Sequence, residues 1–257
     1  MRFLYQFFSS ALLLGTIPLH AQAFNAASGG SAVAPGSLVS VYGKFDPATI
    51  GGALAEVLLW DGNPDDILNL SPVPILYQSV TQINIFLPDS AGPGSQLEPR
   101  TWDTPAGSPI PLNVAAQAPG IFVNPTPDCS IAAAGCAQAL RRGIITDTNY
   151  ALIGSGNPAH PGQALVIWAT GLGVVPTWPQ VSILPNNGNP ATANILYTGH
   201  TTIPGLDQVN ITMPSGASIG SSCSLGVHLE VQLSMKSLTT GIQSNTVPLP
   251  VITDSCN

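Results

Sequence analysis

The sequence predicts an all-β protein, and three observations predict it. Gly and Pro punctuate the whole chain, with 26 and 25 copies in 257 residues, while Val, Ile and Leu recur between them in short runs. Beyond residue 23 no stretch carries the capping and periodicity of a helix. Several short segments also recur, in the same order, in the two halves of the chain. Many short strands joined by Gly/Pro turns account for all three.

The recurrence organises everything else. Gln82–Pro88 reads QINIFLP, and Gln208–Pro214 reads QVNITMP, 126 residues later. Ile75-Leu76-Tyr77 precedes the first and Ile195-Leu196-Tyr197 the second. Upstream, Pro35-Gly36 followed by Leu38–Tyr42 matches Pro161-Gly162 followed by Ala164–Trp168, again 126 residues apart. Downstream, Ile110–Val114 answers Val247–Val251. A period of this length marks a duplicated domain rather than a solenoid unit. Within each copy, Ile83 and Ile85, and likewise Val209 and Ile211, alternate with other residues. Period-two alternation puts the aliphatics on one buried face of a strand. The expected strands of the first copy are Leu38–Tyr42, Ala55–Trp60, Val73–Tyr77, Gln82–Leu87 and Ile110–Val114, and the sequence around Leu97–Thr104 reads as a longer loop. The predicted architecture is two tandem immunoglobulin-like β-sandwiches, residues 24–117 and 157–257, joined by an ordered bridge segment, 118–156. Residues 143–147 and 150–153 of the bridge form a candidate hairpin around Thr148-Asn149.

Residues 1–23 read as a signal peptide. Met1-Arg2 is a short positive start, Phe3–Leu14 an apolar stretch, and Ala21-Gln22-Ala23 a cleavage signal that makes Phe24 the first mature residue. The apolar run is shorter than the roughly 20 residues a spanning helix needs, so export without a membrane span is expected. The formal net charge is −7, and Lys44 and Lys236 are the only lysines, which argues against a nucleic-acid partner. In an extracellular or periplasmic protein the four cysteines point to disulfides, and sequence proximity favours Cys129 with Cys136 and Cys223 with Cys256.

Candidate chemistry is sparse. Gly216–Gly220 matches the G-x-S-x-G pattern of serine hydrolases around Ser218. That motif works as a strand-to-helix turn beside a histidine, and here β-type segments flank it. His160, His200 and His228 have no metal-ligand spacing and no acidic motif beside them. Asp61, Asn63 and Asp65 place oxygen atoms at alternate positions and are the candidate calcium ligands, but Asx-rich turns form without metal, so no cofactor is expected. Tyr42 and Trp168 are repeat equivalents and belong to strand faces. Trp102 and Trp178 fall in Pro-rich loops without repeat partners and are the candidate binding residues.

The stretch Asn25–Ser28, continuing through Val33–Gly43, closely resembles the opening of an uncharacterised secreted domain family abundant in Acidobacteria of the Solibacter type. The likeness continues in Ile75–Tyr77, Thr81–Asn84 and Ala118–Phe122, and again in Asn157–Ala159, Ala169–Gly173 and Gln208–Asn210. Each half also resembles, more loosely, the IPT/TIG branch of immunoglobulin-like folds. The resemblance implies a sandwich fold and no catalytic residue. The expected function is a secreted, non-catalytic interaction or structural module, for adhesion to the cell envelope or matrix, that binds an extracellular protein or glycan. The alternative is a secreted serine hydrolase using Ser218.

Overall fold

The computed structural model describes residues 21–45, 54, 56–61, 70–101, 108–126, 141–185, 189–214 and 228–252. These residues form an all-β structure. In the first half the strands are β1 (Gln22–Asn25), β2 (Ala32–Val33), β3 (Leu38–Tyr42), β4 (Glu56–Trp60), β5 (Leu70–Pro72), β6 (Ile75–Gln78), β7 (Gln82–Phe86), β8 (Gln96–Arg100), β9 (Ile110–Pro111) and β10 (Asn113–Val114). The second half contributes β11 (Gly120–Ile121), β12 (Ile145–Asp147), β13 (Ala164–Thr170), β14 (Gln180–Leu184), β15 (Ala191–Thr192), β16 (Asn194–His200), β17 (Asp207–Thr212), β18 (His228–Lys236) and β19 (Val247–Ile252).

The two halves repeat one strand order. The first has sheets β1-β3-β7-β6 and β5-β4-β8-β9, and the second has β11-β13-β17-β16 and β15-β14-β18-β19, with β12 added along β13. All these pairings are antiparallel; the short β2–β10 contact is parallel. Alternation explains the layering. Val39, Val41, Ile83 and Ile85 from one sheet share a buried cluster with Val57, Leu59, Leu97 and Ile110 from the other. Leu165, Ile167, Val209 and Ile211 do the same with Val181, Ile183, Val231, Leu233 and Leu249. Complete burial of such side chains, at roughly 25 cal/mol per Å² of apolar area, holds each pair of sheets together.

Three details differ from the sequence reading. The stretch Leu97–Thr104, expected as loop, contains all of β8 but its first residue, and Leu97 lies in the core. Pro99 obscured the strand, because proline cannot donate to a ladder. Here β9 pairs with Gln96 and Leu97, so that among the described residues Pro99 faces no strand on that side of β8. Ile110–Val114 is broken in two, β9 continuing the sheet and β10 leaving it to join β2. The segment expected to bridge the copies is woven into the second sheet, since β11 and β12 both pair with β13 and Ile121, Ile145 and Ile153 belong to the same core as Leu165. Its expected hairpin is present in outline, with Ile153 N–H donating to the Ile145 carbonyl at 2.8 Å and Asp147 N–H to Ala151 at 2.9 Å.

The repeated Pro-Gly dipeptides make the same turn twice. Ser37 N–H donates to the Ala34 carbonyl and Gln163 N–H to the His160 carbonyl, with Gly36 at φ 73° and Gly162 at φ 76°. A positive φ at the third position is the type II turn, which glycine adopts without strain. Each glycine N–H then donates to the carbonyl just after the neighbouring strand, Gly36 to Leu87 and Gly162 to Met213. Tyr42 and Trp168 lie half-buried on the outer faces of β3 and β13. Phe24 covers Tyr42 and Tyr150 stacks on Trp168, with ring centroids 6.0 and 6.2 Å apart.

A Cβ at Gly162 would meet nothing within 4 Å, so a substitution there isolates the backbone cost. Gly162→Ala is expected to lower stability by about 1–2 kcal/mol, read as a lower urea midpoint at an unchanged slope.

Candidate binding surface

The surface is built where β13 ends. After Thr170 the chain turns through Gly171 and Gly173, at φ 86° and 84°. Neither could be another residue without rearrangement, because a Cβ would collide with the Ala118 carbonyl at Gly171 and the Ala116 carbonyl at Gly173. The close approach lets Ala118 N–H donate to the Gly171 carbonyl at 2.9 Å.

Buried polar side chains fix the loop that follows. Gln117 donates through Nε2 to the Leu172 carbonyl at 2.9 Å and to Thr177 Oγ1 at 2.5 Å. Its Oε1 accepts from Ser237 Oγ at 2.6 Å, and its carbonyl accepts from Thr240 Oγ1 at 2.9 Å. One amide thus ties the 171–177 loop to the 237–241 turn. From the other side Asp207, 1% exposed, accepts the Leu172 N–H through Oδ2 at 2.9 Å. Its Oδ1 lies 2.7 Å from His200 Nδ1, and His200 Nε2 lies 3.2 Å from the Val174 carbonyl. Three loops tied in this way carry exposed apolar side chains: Val174, Val175 and Trp178 on the first, Leu238 on the second, and Ile203 on the β16–β17 turn.

Electrostatics follow from burial. Burial alone lowers the His200 pKa, but the Asp207 hydrogen bond, the Val174 carbonyl and the charges of Asp207 and Asp89 together raise it above its ordinary value. Burial raises the Asp207 pKa, opposed by the Leu172 N–H, the His200 ring and the Gly171 N–H. Both imidazole nitrogens face oxygen atoms, an arrangement that favours the doubly protonated ring. Although a His–Asp pair resembles two members of a catalytic triad, a general base needs a free nitrogen lone pair directed at a nucleophile. His200 Nε2 meets a backbone carbonyl instead. The pair acts as a latch between the β16–β17 hairpin and the 171–177 loop.

Of the residues singled out from sequence, Trp178 lies on this surface and is 56% exposed. Asp61 directly follows β4. Trp102, Asn63, Asp65, Ser218 and the four cysteines, Cys129, Cys136, Cys223 and Cys256, with the disulfides and calcium loop expected of them, lie outside the described residues. Among the described residues no group of three or more His, Cys, Asp or Glu side chains is placed to hold a metal. The sequence shows no acidic motif beside the histidines, and the fold supplies a carboxylate to His200 from the next strand. Seven positions separate it from Asp207, and the two are Cα partners across the mouth of the β16–β17 hairpin. The signal available in sequence was the longer turn between the repeated strands, which places an Asp at the start of one strand opposite a His at the end of the other.

No family model matches the chain, and no curated protein matches it in sequence. Among solved structures, the crystal structure of a gamma-CGTase from alkalophilic Bacillus clarkii is similar at 13% identity and a TM-score of 0.26. The match covers 83% of this chain and 22% of that chain. At that TM-score the likeness carries no argument about function.

Asp207→Ala is expected to cost about 1–3 kcal/mol, since it leaves the Leu172 N–H buried without its acceptor; chemical denaturation measures it. His200 supplies a pH test. With its pKa raised in the folded state, its contribution to stability is complete below about pH 6.5. That contribution is lost as pH rises through the raised folded value. The melting-temperature gap between the native protein and His200→Gln should therefore be widest near pH 6 and close in alkali. Because the ring is 40% exposed, solvent screening keeps the gap small.

Proposed function

We propose that the chain is an exported, non-catalytic interaction module that presents the Trp178 surface to an extracellular protein. The observation that carries this reading is an exposed indole flanked by Val174 and Val175 on a loop fixed from beneath by Gln117 and Asp207. Large exposed apolar side chains are costly in water and mark contact surfaces when they gather. Fixing them before a partner arrives removes the ordering entropy that binding would otherwise cost. Tryptophan anchors of this kind dominate interface energetics. The aliphatic neighbours favour a protein partner, because a sugar gains little from valine. The net charge of −7 argues against phosphate-rich partners. Export rests on the N-terminal sequence, and the adhesive role on the resemblance and the duplicated architecture.

The full mature chain should be screened against arrays of envelope proteins and of glycans. Trp178→Ala is expected to weaken capture of a protein partner at least about tenfold, or roughly 1.4 kcal/mol, at unchanged melting temperature. Undiminished capture by that variant would remove this surface from the account, and capture of glycans alone would reassign the partner. The hydrolase alternative is tested by Ser218→Ala: an ester- or amide-cleaving activity lost in that variant would overturn the non-catalytic reading.

A further inference from the structure

A second surface lies on the outward face of the β5-β4-β8-β9 sheet of the first half. Val57 and Leu59 point into the core, so Glu56, Leu58 and Trp60 point outward from β4. On β8, Gln96, Glu98 and Arg100 lie opposite Trp60, Leu58 and Glu56. Leu70 on β5 flanks Trp60 on its other side. Together with Pro109, residues Trp60, Leu70, Gln96 and Glu98 line a cleft of about 230 Å³. Arg100 Nε lies 3.4 Å from Glu98 Oε1 and holds that carboxylate at the sheet surface. The Trp60 Nε1 atom is buried and meets no hydrogen-bond acceptor among the described residues.

The second half shows that the sandwich does not require this arrangement. There β14 and β18 pair Leu184 with Gln232, Ser182 with Ser234 and Gln180 with Lys236. The positions of Trp60 and Glu98 are thus held by Leu184 and Ser234, while the amide and the cation are kept. An aromatic ring and a carboxylate added to one copy of a duplicated face are departures that folding leaves unexplained.

We propose that this cleft binds a single neutral sugar unit of an extracellular glycan, at a site separate from the Trp178 surface. The C–H face of a pyranose suits an indole, and vicinal hydroxyls donate to a carboxylate while exchanging hydrogen bonds with an amide. The combination excludes the alternatives by charge. Glu98 and Arg100 form an ion pair without net charge, which leaves no unpaired counter-charge for an anion or a cation. A purely apolar ligand would strip water from Glu98 and Gln96 without replacing its hydrogen bonds. The volume is below the roughly 300–1,000 Å³ of clefts that enclose drug-sized ligands, which suits one ring.

The test uses the full mature chain and saturation-transfer NMR with glucose, galactose, mannose and N-acetylglucosamine, and with choline as a cationic control. At least one sugar is expected to bind with a dissociation constant on the order of 1 mM. Trp60→Leu and Glu98→Ser each install the residue of the other copy, so both should fold, with melting temperature as the check. Trp60→Leu should weaken sugar binding at least about tenfold and Glu98→Ser about threefold or more, while Trp178→Ala leaves it unchanged. Three results would overturn the proposal: no transfer from any of the sugars, sugar binding that survives Trp60→Leu, or binding of choline alone that is lost in Glu98→Ser.

Discussion

Burying the Asp207 carboxylate takes it away from water, and the fold must return the lost hydrogen bonds from its own groups. The Leu172 N–H and the His200 ring do so, which constrains two separate segments to one position. An isolated buried carboxylate would be expelled or neutralised, so this geometry is enforced by the cost of breaking it. The glycines at 171 and 173 let the loop approach the backbone of Ala116 and Ala118, where Gln117 fixes it as well. The position of Trp178 is therefore a consequence of buried polar chemistry several residues away.

The same hairpin that supplies His200 and Asp207 also touches the first half. Ile75 and Ile195 are 120 residues apart, whereas Gln82 and Gln208 are 126 apart, so the second hairpin is six residues longer, in its turn and its strands together. Within those extra residues Leu206 packs in a small cluster with Leu38 and Phe122, and a Cβ on Gly205 would run into Leu38. The Leu38 N–H donates to Thr170 Oγ1 at 2.9 Å, and Asn25 Nδ2 donates to the Ala118 carbonyl at 2.7 Å. These buried contacts join β1 and β3 of the first half to the end of β13, next to the loop that carries Trp178.

The all-β class was legible because duplication displays the invariant strands twice, and because Ile83, Ile85, Val209 and Ile211 alternate without interruption. Where alternation is broken by a residue with a local reason of its own, the reading failed. Pro99 hid β8, and among the described residues it faces no strand on the β9 side. His200 and Asp207 were separable in sequence but not recognisable as a pair, since their meeting depends on hairpin register. Trp178 was recognised as a loop tryptophan, yet its exposure depends on the Gln117 and Asp207 contacts, which join residues 55 and 35 positions apart. Trp60 was legible as a strand aromatic, but its cleft required knowing which face β8 presents.

Each outer strand next to β7 or β17 carries one irregularity at the same place, a register shift between Ile75 and Tyr77 in β6 and between Ile195 and Tyr197 in β16. Such an offset twists an edge and spoils it as a template for a further strand. Two halves that repeat one strand order on one chain face a particular hazard during folding, the exchange of equivalent hairpins. The bulges are shared and cannot tell the copies apart, but the turns can. A β6–β7 hairpin with its short turn, seated in the second half, would bring no Leu206 to meet Leu38 and no partner for the 171–177 loop. The unequal hairpins thus work as a molecular key, making the correct pairing of strands with sheets the one in which both halves also fit each other.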